Sequence, residues 1–400
     1  MLDSASVRFR GPLTPHVQGF WSELMRQGYA PLSGMNLLLV AAHVSRWLDC
    51  RALGAGDLTV ERMVQFAAHR RRKGYTQFRT TRALEPLLAY LRGIGVAPPP
   101  PIPTETPVDR LLREYAEYLV QERGLVMTTI RGYTDFARRF IAAQFDSEVL
   151  DWRALVAADV TRFVSREFGR SNVGGCKPTV TRLRSLLRYL HVQGRLPHDL
   201  AACVPAVAGW RMASLPKGLE QEQIERMLAS CDSRTLVGCR DRAVLCLLAR
   251  LGLRAGEVAG LRLGDLDWRA AEVVVRGKGR SESRLPLPPD VGKAVVAYLR
   301  RRPLVDSRAT FLCVRAPHRA VTRYTISGLA RRALRAVGVS AGGAHVLRHT
   351  AATQMLRHGA SLAEVGHVLR HRHVDTTAIY AKVDFAALRT LAQPWPGGAA

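Results

Sequence analysis

A proline-rich segment near the end of the first hundred residues limits where this chain can form continuous helices. It reads APPPPIPTETP at 97–107. Proline fixes φ and lacks a backbone N–H, so the segment favours a stiff, extended connection. A second boundary, PAVAGWRMASLPKGL, lies at 205–219. Since domains commonly hold about 100–200 residues, we predict a linker at 98–107 and three folded blocks: residues 1–97, 108–203 and 216–400.

The first two blocks resemble copies of one helical unit. Each opens with an amphipathic segment that ends at a glycine, at 20–28 and at 115–124. Each closes with a related helical segment, TRALEPLLAYLRGIG at 81–95 and TRLRSLLRYLHVQG at 181–194, in which L-L-x-Y-L recurs. A common order and a nearly constant spacing indicate internal duplication. We therefore predict that the first block is an extra helical domain, a duplicate of the unit in the second block.

The third block changes its pattern after two helical segments, 219–231 and 236–252, whose apolar residues repeat with the helical period. The stretch EVVVRGKGRSESRLPLP at 272–288 contains two β-prone runs around a glycine- and serine-rich turn, which predicts a hairpin. Beyond residue 290 the helical pattern returns. The chain is thus predicted to be mainly α-helical, with a small antiparallel β-sheet near the start of the third block.

The charge of the chain indicates a polyanionic partner. The chain carries 59 Lys and Arg against 33 Asp and Glu, a net charge of +26, and residues 211–400 contribute +16 of it. Such an excess favours nucleic acid or an anionic membrane surface. No apolar run reaches the roughly 18–20 residues of a membrane span, and the N-terminus lacks the apolar core of a signal peptide. We therefore expect a cytoplasmic protein that binds nucleic acid, and no membrane partner.

Motifs that would indicate other chemistries are missing from the sequence. The seven cysteines are odd in number and none forms a C-x-x-C pair, so we expect free thiols rather than disulfides or zinc ligands. There is no G-x-x-x-x-G-K-S/T phosphate loop and no G-x-S-x-G. Asp265 and Asp267 have no third carboxylate nearby in the sequence for two-metal catalysis, and we expect both to be solvated at the surface.

A cationic stripe interrupts an otherwise apolar helical segment in the third block. His345, Arg348 and His349 are three and four residues apart, so they share one helix face. Breaking a phosphodiester without a metal requires a nucleophile, charge neutralisation at the non-bridging oxygens and protonation of the leaving alkoxide. Arginine grips two phosphate oxygens with its planar fork, and histidine transfers protons near neutral pH. The stripe is therefore either a solvated basic face or part of a phosphate site.

Four motifs, taken in order, resemble the tyrosine recombinase (phage integrase) family of site-specific recombinases. They cover about 180 residues at the C-terminus and are G-L-R-x-x-E at 252–257, G-K-G at 277–279, H-x-L-R-H-T at 345–350, and His371 nine residues before Tyr380. The resemblance implies the fold of that family, in which helical core-binding domains precede an α-rich catalytic domain with a small antiparallel sheet. It also implies an enzyme that cleaves and rejoins duplex DNA, acting in DNA integration or transposition of mobile elements.

The resemblance assigns the central steps to four residues. Arg254 and Arg348 would clamp the scissile phosphate and stabilise its pentacoordinate transition state. Tyr380 would attack phosphorus and form a 3′-phosphotyrosyl bond. Glu257 would orient its neighbours rather than react.

The resemblance gives proton transfer to further residues. His345 would hydrogen-bond the phosphate and act as the base near the nucleophile, with His349 as a supporting hydrogen-bond partner. Lys278 would be the general acid for the departing 5′ oxygen, and His371 would assist at the phosphate. The chain departs from the family at Arg370, where the family usually has glycine, and this departure bears on the backbone geometry next to His371.

The resemblance also implies the partners of the chain. The core-binding domain (108–203) and the catalytic domain (216–400) would close around double-stranded DNA as a clamp, while residues 1–97 would bind DNA or a partner. The segment 384–395 would dock on neighbouring protomers of a synaptic homo-tetramer. No metal, ATP or other cofactor is implied, and the location would be the nucleoid of a bacterial cytoplasm.

Two other functions remain open at this level. A type IB topoisomerase uses similar chemistry, and a DNA-binding accessory protein would lack catalysis, although the full set of motif residues argues against a retired site. Structural interpretations also remain for single residues: Lys278 as a solvated hairpin tip, and Tyr380 as a core aromatic. The sequence does not distinguish an integrase from a transposon recombinase or a resolvase.

Overall fold

The mainly helical prediction is confirmed by a computed structural model of the chain. It contains fifteen α-helices and one three-stranded antiparallel sheet within the residues that it describes. The chain forms two compact units, one of residues 101–213 and one that combines residues 1–100 with 214–400. The division into three functional blocks stays a prediction. The described residues are 7–77, 80–101, 104–145, 150–170, 173–207, 218–277, 281–339, 342–371 and 377–383.

Within its described residues, the first block consists of four α-helices around an apolar core. Proline at the first position of the second helix and the Thr59 hydroxyl, which accepts from the Arg62 N–H at 3.3 Å, set two of the helix starts. Buried side chains from all four helices, among them Phe20, Trp47 and Phe66, form the core. The helices are α1 (Val17–Arg26), α2 (Pro31–Asp49), α3 (Val60–Arg72) and α4 (Glu85–Gly93).

Where the structure describes it, the second block also has four α-helices that follow one another along the chain. Its first helix starts in a capping box in which Thr106 and Asp109 exchange hydrogen bonds, directly after the proline-rich linker. The hydroxyl of the buried Tyr115 donates to Ser185 Oγ at 2.9 Å and joins the first helix to the last. The shared order accords with duplication, which stays a prediction. The helices are α5 (Pro107–Gln121), α6 (Met127–Gln144), α7 (Ala157–Gly169) and α8 (Val173–Val192).

The third block surrounds the nearly fully buried helix α10 with the sheet and the remaining helices. The predicted hairpin is confirmed: strands β2 and β3 pair antiparallel, and Val273 and Val275 face the core. A short strand β1, which the sequence does not predict, extends the sheet. The elements are α9 (Gln221–Ala229), α10 (Leu236–Arg250), α11 (Ala255–Gly260), β1 (Leu266–Asp267), β2 (Glu272–Arg276), β3 (Glu282–Pro286), α12 (Pro289–Leu299), α13 (Arg323–Ala336), α14 (Ala344–Arg357) and α15 (Leu362–Val368), followed by a 3-10 turn (Ala378–Val383).

The expectation that Asp265 is solvated at the surface is wrong. Asp265 is buried, and its carboxylate accepts from Arg276 Nη1 at 2.5 Å and from the Arg262 N–H at 2.8 Å. A buried carboxylate is tolerated when cationic and backbone donors replace its water. Asp267 is half-buried and caps the following turn by accepting from the N–H groups of Arg269 and Ala270. Both carboxylates therefore fix the corner between α11 and the sheet.

The cysteines are free thiols, as the sequence predicts. Over the described ranges, no helix combines the length and the apolar character that crossing a bilayer requires.

Candidate active site

Helix α14 carries Arg348 into the interior and holds it between two loops. The side chain is only 8% exposed. Its Nη1 donates to the Gly252 carbonyl at 2.6 Å, and its Nη2 donates to the Leu369 carbonyl. Gly252 adopts φ +60°, and a Cβ there would lie 2.6 Å from Leu369 Cδ2, so a side chain at this crossing would strain the backbone and displace Leu369. The glycine of the G-L-R motif thus lets two loops meet around one guanidinium.

Arg348 remains charged in this environment. Burial, and next to it the charge of Arg254, lower the pKa of Arg348 to about 10. That pKa still lies well above neutral pH. The two loop carbonyls use two of the five N–H donors of the guanidinium, and three remain for a ligand.

Arg254 and Glu257 form the start of α11. The Glu257 carboxylate accepts from the Arg254 N–H at 2.8 Å and from Arg254 Nη1 at 2.6 Å. Arg370 Nη2 reaches the same carboxylate at 2.8 Å. Burial raises the pKa of Glu257, but the Arg254 N–H and the charges of Arg370 and Arg254 outweigh it and hold that pKa below its usual value. Glu257 is therefore an ionised group shared by two arginines.

Three of the predicted site residues line one open cavity of about 600 Å³. They are Arg254, Arg348 and His345, of which His345 is exposed. Arg331 adds a third cation to the wall. Among the described lining residues there is no carboxylate facing the cavity. A cavity with three guanidinium groups and an imidazole is suited to an anion with several oxygens, such as a phosphate.

Tyr380 lies in the 3-10 turn that follows α15. Its side chain is 2% exposed, and its hydroxyl lies 2.7 Å from His349 Nδ1. Burial raises the pKa of Tyr380, although the charge of Arg348 lowers it in part. Burial, followed by the charges of His345 and Arg348, lowers the pKa of His349. A neutral imidazole thus faces a protonated phenol across one hydrogen bond.

His371 packs parallel to the Tyr380 ring, with 6.4 Å between the ring centroids. Its Nδ1 lies 2.7 Å from Thr377 Oγ1, which fixes the orientation of the imidazole. Burial, followed by the charges of Arg348, Arg254 and Arg370, lowers the pKa of His371 to about 4. His371 is therefore neutral at physiological pH in the free protein.

The structure differs from the sequence expectation in which histidine touches the nucleophile. The family resemblance implies that His345 is the base near Tyr380, but in the structure the partner of the Tyr380 hydroxyl is His349. His345 instead faces the cavity beside the arginines. Both histidines lie one turn apart on α14, and the position of the 3-10 turn decides which of them meets the tyrosine. The supporting hydrogen-bond role expected for His349 agrees with this contact.

One predicted site residue lies outside the described residues, and two residues that the sequence does not predict contact the site. Lys278 lies outside the described residues, directly after Gly277, whose N–H donates to the Ser281 carbonyl at 2.7 Å. Arg370 and Thr377 contact site residues and were not predicted to do so; for Arg370, the signal was an arginine where glycine is usual. In the parts of the chain that the structure covers, no group of three His, Cys, Asp or Glu side chains is arranged to hold a metal ion.

Comparison with known proteins agrees with this geometry. The sequence model of the phage integrase family matches residues 217–387. The integrase/recombinase y4rA of Sinorhizobium fredii is 41% identical over 396 residues, which is 97% of this chain and 96% of that protein. Tyrosine recombinase XerC of Haemophilus influenzae is 32% identical over 286 residues, 69% of this chain and 94% of that protein. The crystal structure of a lambda integrase dimer bound to a COC′ core site shares the fold, with a TM-score of 0.53 at 16% identity, covering 72% of this chain and 80% of that one. The chain belongs to the tyrosine recombinase (phage integrase) family.

Proposed function

We propose that this protein is a site-specific DNA recombinase that cleaves and rejoins duplex DNA through a 3′-phosphotyrosyl intermediate on Tyr380. The proposal rests on the position of Arg348. Its buried guanidinium lies between a cavity that suits an anion and Tyr380, which is hydrogen-bonded to the neutral His349. Family membership supplies the reaction class. Neither a metal nor ATP takes part in the proposed reaction.

In the proposed cleavage step, one bond to phosphorus forms as another breaks, and each proton has a donor and an acceptor. The Tyr380 oxygen attacks phosphorus while the bond from phosphorus to the 5′ oxygen breaks, so one phosphodiester replaces another. The phenolic proton passes to His349 Nδ1, 2.7 Å away. The departing 5′ oxygen takes a proton from Lys278, as the family resemblance implies. Rejoining reverses these steps with a 5′ hydroxyl as the nucleophile, and the retained phosphodiester energy makes a nucleotide cofactor unnecessary.

Charge neutralisation falls to the two arginines. In the transition state, negative charge grows on the non-bridging oxygens, and preorganised cations lower its energy most. Arg348 is held rigidly by the Gly252 and Leu369 carbonyls, while Arg254 is held by Glu257. His345, which faces the same cavity, would add a hydrogen bond to the phosphate. His371, neutral and stacked on Tyr380, would orient the nucleophile and contact the phosphate.

The partner of the site is duplex DNA, bound by more than one copy of the chain. A lambda integrase dimer on its core site has the fold of this chain. We assign DNA binding to the core-binding domain at 108–203 and to the catalytic domain at 216–400. The synaptic tetramer, with docking through 384–395, is part of the proposal, and that segment lies outside the described residues.

We also infer that the first block contacts DNA. A cavity of about 370 Å³ between α2 and α3 is lined by Arg46, Arg51, Arg70 and two histidines. The Arg51 guanidinium lies 4.2 Å from the Trp47 ring centroid. Arginines grouped in this way suit contacts to the phosphates of a DNA backbone.

The experiment that tests the proposal is trapping of the covalent intermediate. Tyr380→Phe protein can select a binding site from a random duplex library, and a nicked duplex with that site then serves as substrate. We expect the unaltered protein to form a protein–DNA adduct, also in chelator, and Tyr380→Phe to form none. Tyr324→Phe is the matched control, because Tyr324 is 72% exposed on α13 and should leave adduct formation unchanged.

Three outcomes would contradict the proposal. An adduct that persists in Tyr380→Phe would remove this tyrosine from its role. Absence of any adduct with the unaltered protein, despite site-selective binding, would favour a DNA-binding accessory protein. Relaxation of supercoiled plasmid that lacks the site would favour a topoisomerase.

A further inference from the structure

Arg370 occupies a backbone position that ordinarily requires glycine. Its φ is +56°, in the left-handed region that residues with a Cβ rarely adopt. Helix α15 ends there in a Schellman motif: the Arg370 N–H donates to the His367 carbonyl and the His371 N–H to the Gly366 carbonyl, each at 2.9 Å. Glycine is the usual residue at this place in the motif because it adopts φ > 0 freely. An arginine here adopts a conformation that its Cβ disfavours, and the contacts of its side chain show what it adds that glycine lacks.

The turn made by this residue holds three groups of the active site. The Leu369 carbonyl accepts from Arg348, and the next carbonyl, that of Arg370, accepts from Arg254 Nη2 at 3.4 Å. His371 follows directly and stacks on Tyr380. The left-handed residue turns the chain so that two consecutive carbonyls point at the two clamp arginines.

The side chain of Arg370 is buried against the other side of the same network. Its Nη2 donates to Glu257 at 2.8 Å, and its Nη1 donates to the Val368 carbonyl at 2.8 Å. The side chains of Arg370 and Glu257 are only 11% and 5% exposed. Glu257 also accepts from Arg254, so one buried carboxylate joins both arginines. Without Arg370, the carboxylate would pair with Arg254 alone and form a neutral couple at the edge of the phosphate cavity.

We propose that Arg370 is a positioning residue of the cleavage reaction, acting through Glu257 on Arg254. The inference rests on the proposed function. Because Arg370 shares the charge of Glu257, the three side chains keep a net positive charge, and Arg254 remains available to the phosphate. Arg370 itself points at Glu257 rather than into the phosphate cavity, whose described lining includes Arg254 and Arg348 but not Arg370.

Two substitutions at Arg370 separate the side chain from the backbone. Arg370→Gly suits the left-handed turn but removes the ion pair with Glu257. We expect its single-turnover cleavage at saturating DNA to be slowed by about 10- to 100-fold, as for other losses of alignment, with DNA affinity and melting temperature close to those of the unaltered protein. Arg370→Lys keeps the charge at the cost of the fork and should restore part of the lost rate. If the backbone alone mattered, Arg370→Gly would cleave at least as fast as the unaltered protein.

A double variant tests whether Arg370 acts through Glu257. Arg370→Gly and Glu257→Gln break the same ion pair, so their combination should cleave no more slowly than the slower single variant. Independent roles would multiply the two losses, and that result would overturn the proposal. Should Arg370→Gly fail to fold, Arg370→Asn replaces it, because asparagine also tolerates the left-handed region and carries no charge.

The outcomes distinguish this inference from the proposed function. The nicked duplex selected with Tyr380→Phe is the probe throughout, and adduct formation by the unaltered protein is the reference. If the unaltered protein forms no adduct, the proposed function fails and this inference fails with it. If the unaltered protein cleaves and Arg370→Gly cleaves equally fast, only the role of Arg370 is refuted. Loss of DNA affinity in place of rate would make Arg370 a DNA contact and would also refute a positioning role.

Discussion

Exchanging Arg348 for lysine separates the charge of this side chain from its fork of N–H donors. The guanidinium donates to the Gly252 and Leu369 carbonyls and keeps three N–H groups for a phosphate. An ammonium has three donors in all and cannot imitate the planar fork. Arg348→Lys therefore keeps the charge, but it cannot hold both carbonyls and also grip two phosphate oxygens.

Two losses of different size follow from that geometry. A buried carbonyl left without a donor costs about 1–3 kcal/mol, and we expect the free energy of unfolding of Arg348→Lys to fall by about that amount. Removing one donor to a transition-state oxyanion commonly costs about 10²- to 10³-fold in rate. Cleavage at saturating DNA should slow by about that factor, while DNA affinity changes little, because the charge is retained.

Urea unfolding measures the first loss and single-turnover cleavage of the nicked duplex measures the second. Arg357→Lys is the matched control, because Arg357 ends the same helix and its ion pair with Glu220 is exposed. The control should stay within about 0.5 kcal/mol of the unaltered protein in stability. If Arg348→Lys cleaves as fast as Arg357→Lys, the argument from the fork is refuted.

Three further predictions concern proton transfer and the first block. Replacing the bridging 5′ oxygen with sulfur should restore DNA cleavage by Lys278→Ala but not by Arg254→Ala, because a thiolate leaves without a general acid. If sulfur does not restore cleavage by Lys278→Ala, Lys278 contacts the phosphate and is not the acid. Arg46→Ala combined with Arg51→Ala should reduce the log–log salt slope of DNA binding by about 0.9 for each lost phosphate contact, and an unchanged slope would indicate a protein partner instead. The pKa of His371, about 4 in the folded chain against the ordinary 6.5, means that the folded state binds fewer protons between these values. Its contribution to stability is therefore present above pH 6.5 and lost as pH falls through about 4. His371→Gln should flatten the dependence of the free energy of unfolding on pH between these values. Urea titrations at several pH values would measure that dependence.

The helices and the hairpin could be predicted because their signals are local. Apolar residues with period 3.6 mark α10, and a run of three valines marks β2, where Val273 and Val275 are buried. Strand β1 could not be predicted, because its two residues pair with β2 only after the chain returns. The burial of Asp265 has the same origin, since its partner Arg276 is eleven residues away on β2. Such contacts depend on tertiary packing and leave no periodic trace in the sequence.

The site, like the fold, could be predicted from the sequence only in part, because some of its contacts depend on tertiary packing. The family resemblance implies that Arg254, His345 and Arg348 meet at one phosphate, and the structure brings them to one cavity. Spacing alone could not choose between His345 and His349 as the partner of Tyr380, because both lie on one face of α14. Nor could it show how an arginine stands where glycine is usual: the ion pair of Arg370 with Glu257 spans 113 residues of sequence.

If Tyr380 attacks phosphorus, as proposed, its environment indicates where its proton goes. In the free chain, burial raises the pKa of the phenol and the charge of Arg348 offsets this only in part. A bound phosphate would neutralise part of the charge of Arg348, so the arginine would favour the phenolate less when attack begins. The proton must then pass to a base already in contact. His349 is in contact at 2.7 Å, and burial with the charges of His345 and Arg348 lowers its pKa and keeps it neutral. In the proposed mechanism Arg348 therefore has two roles, because it contacts the phosphate and also helps to keep His349 neutral and able to accept the proton of Tyr380.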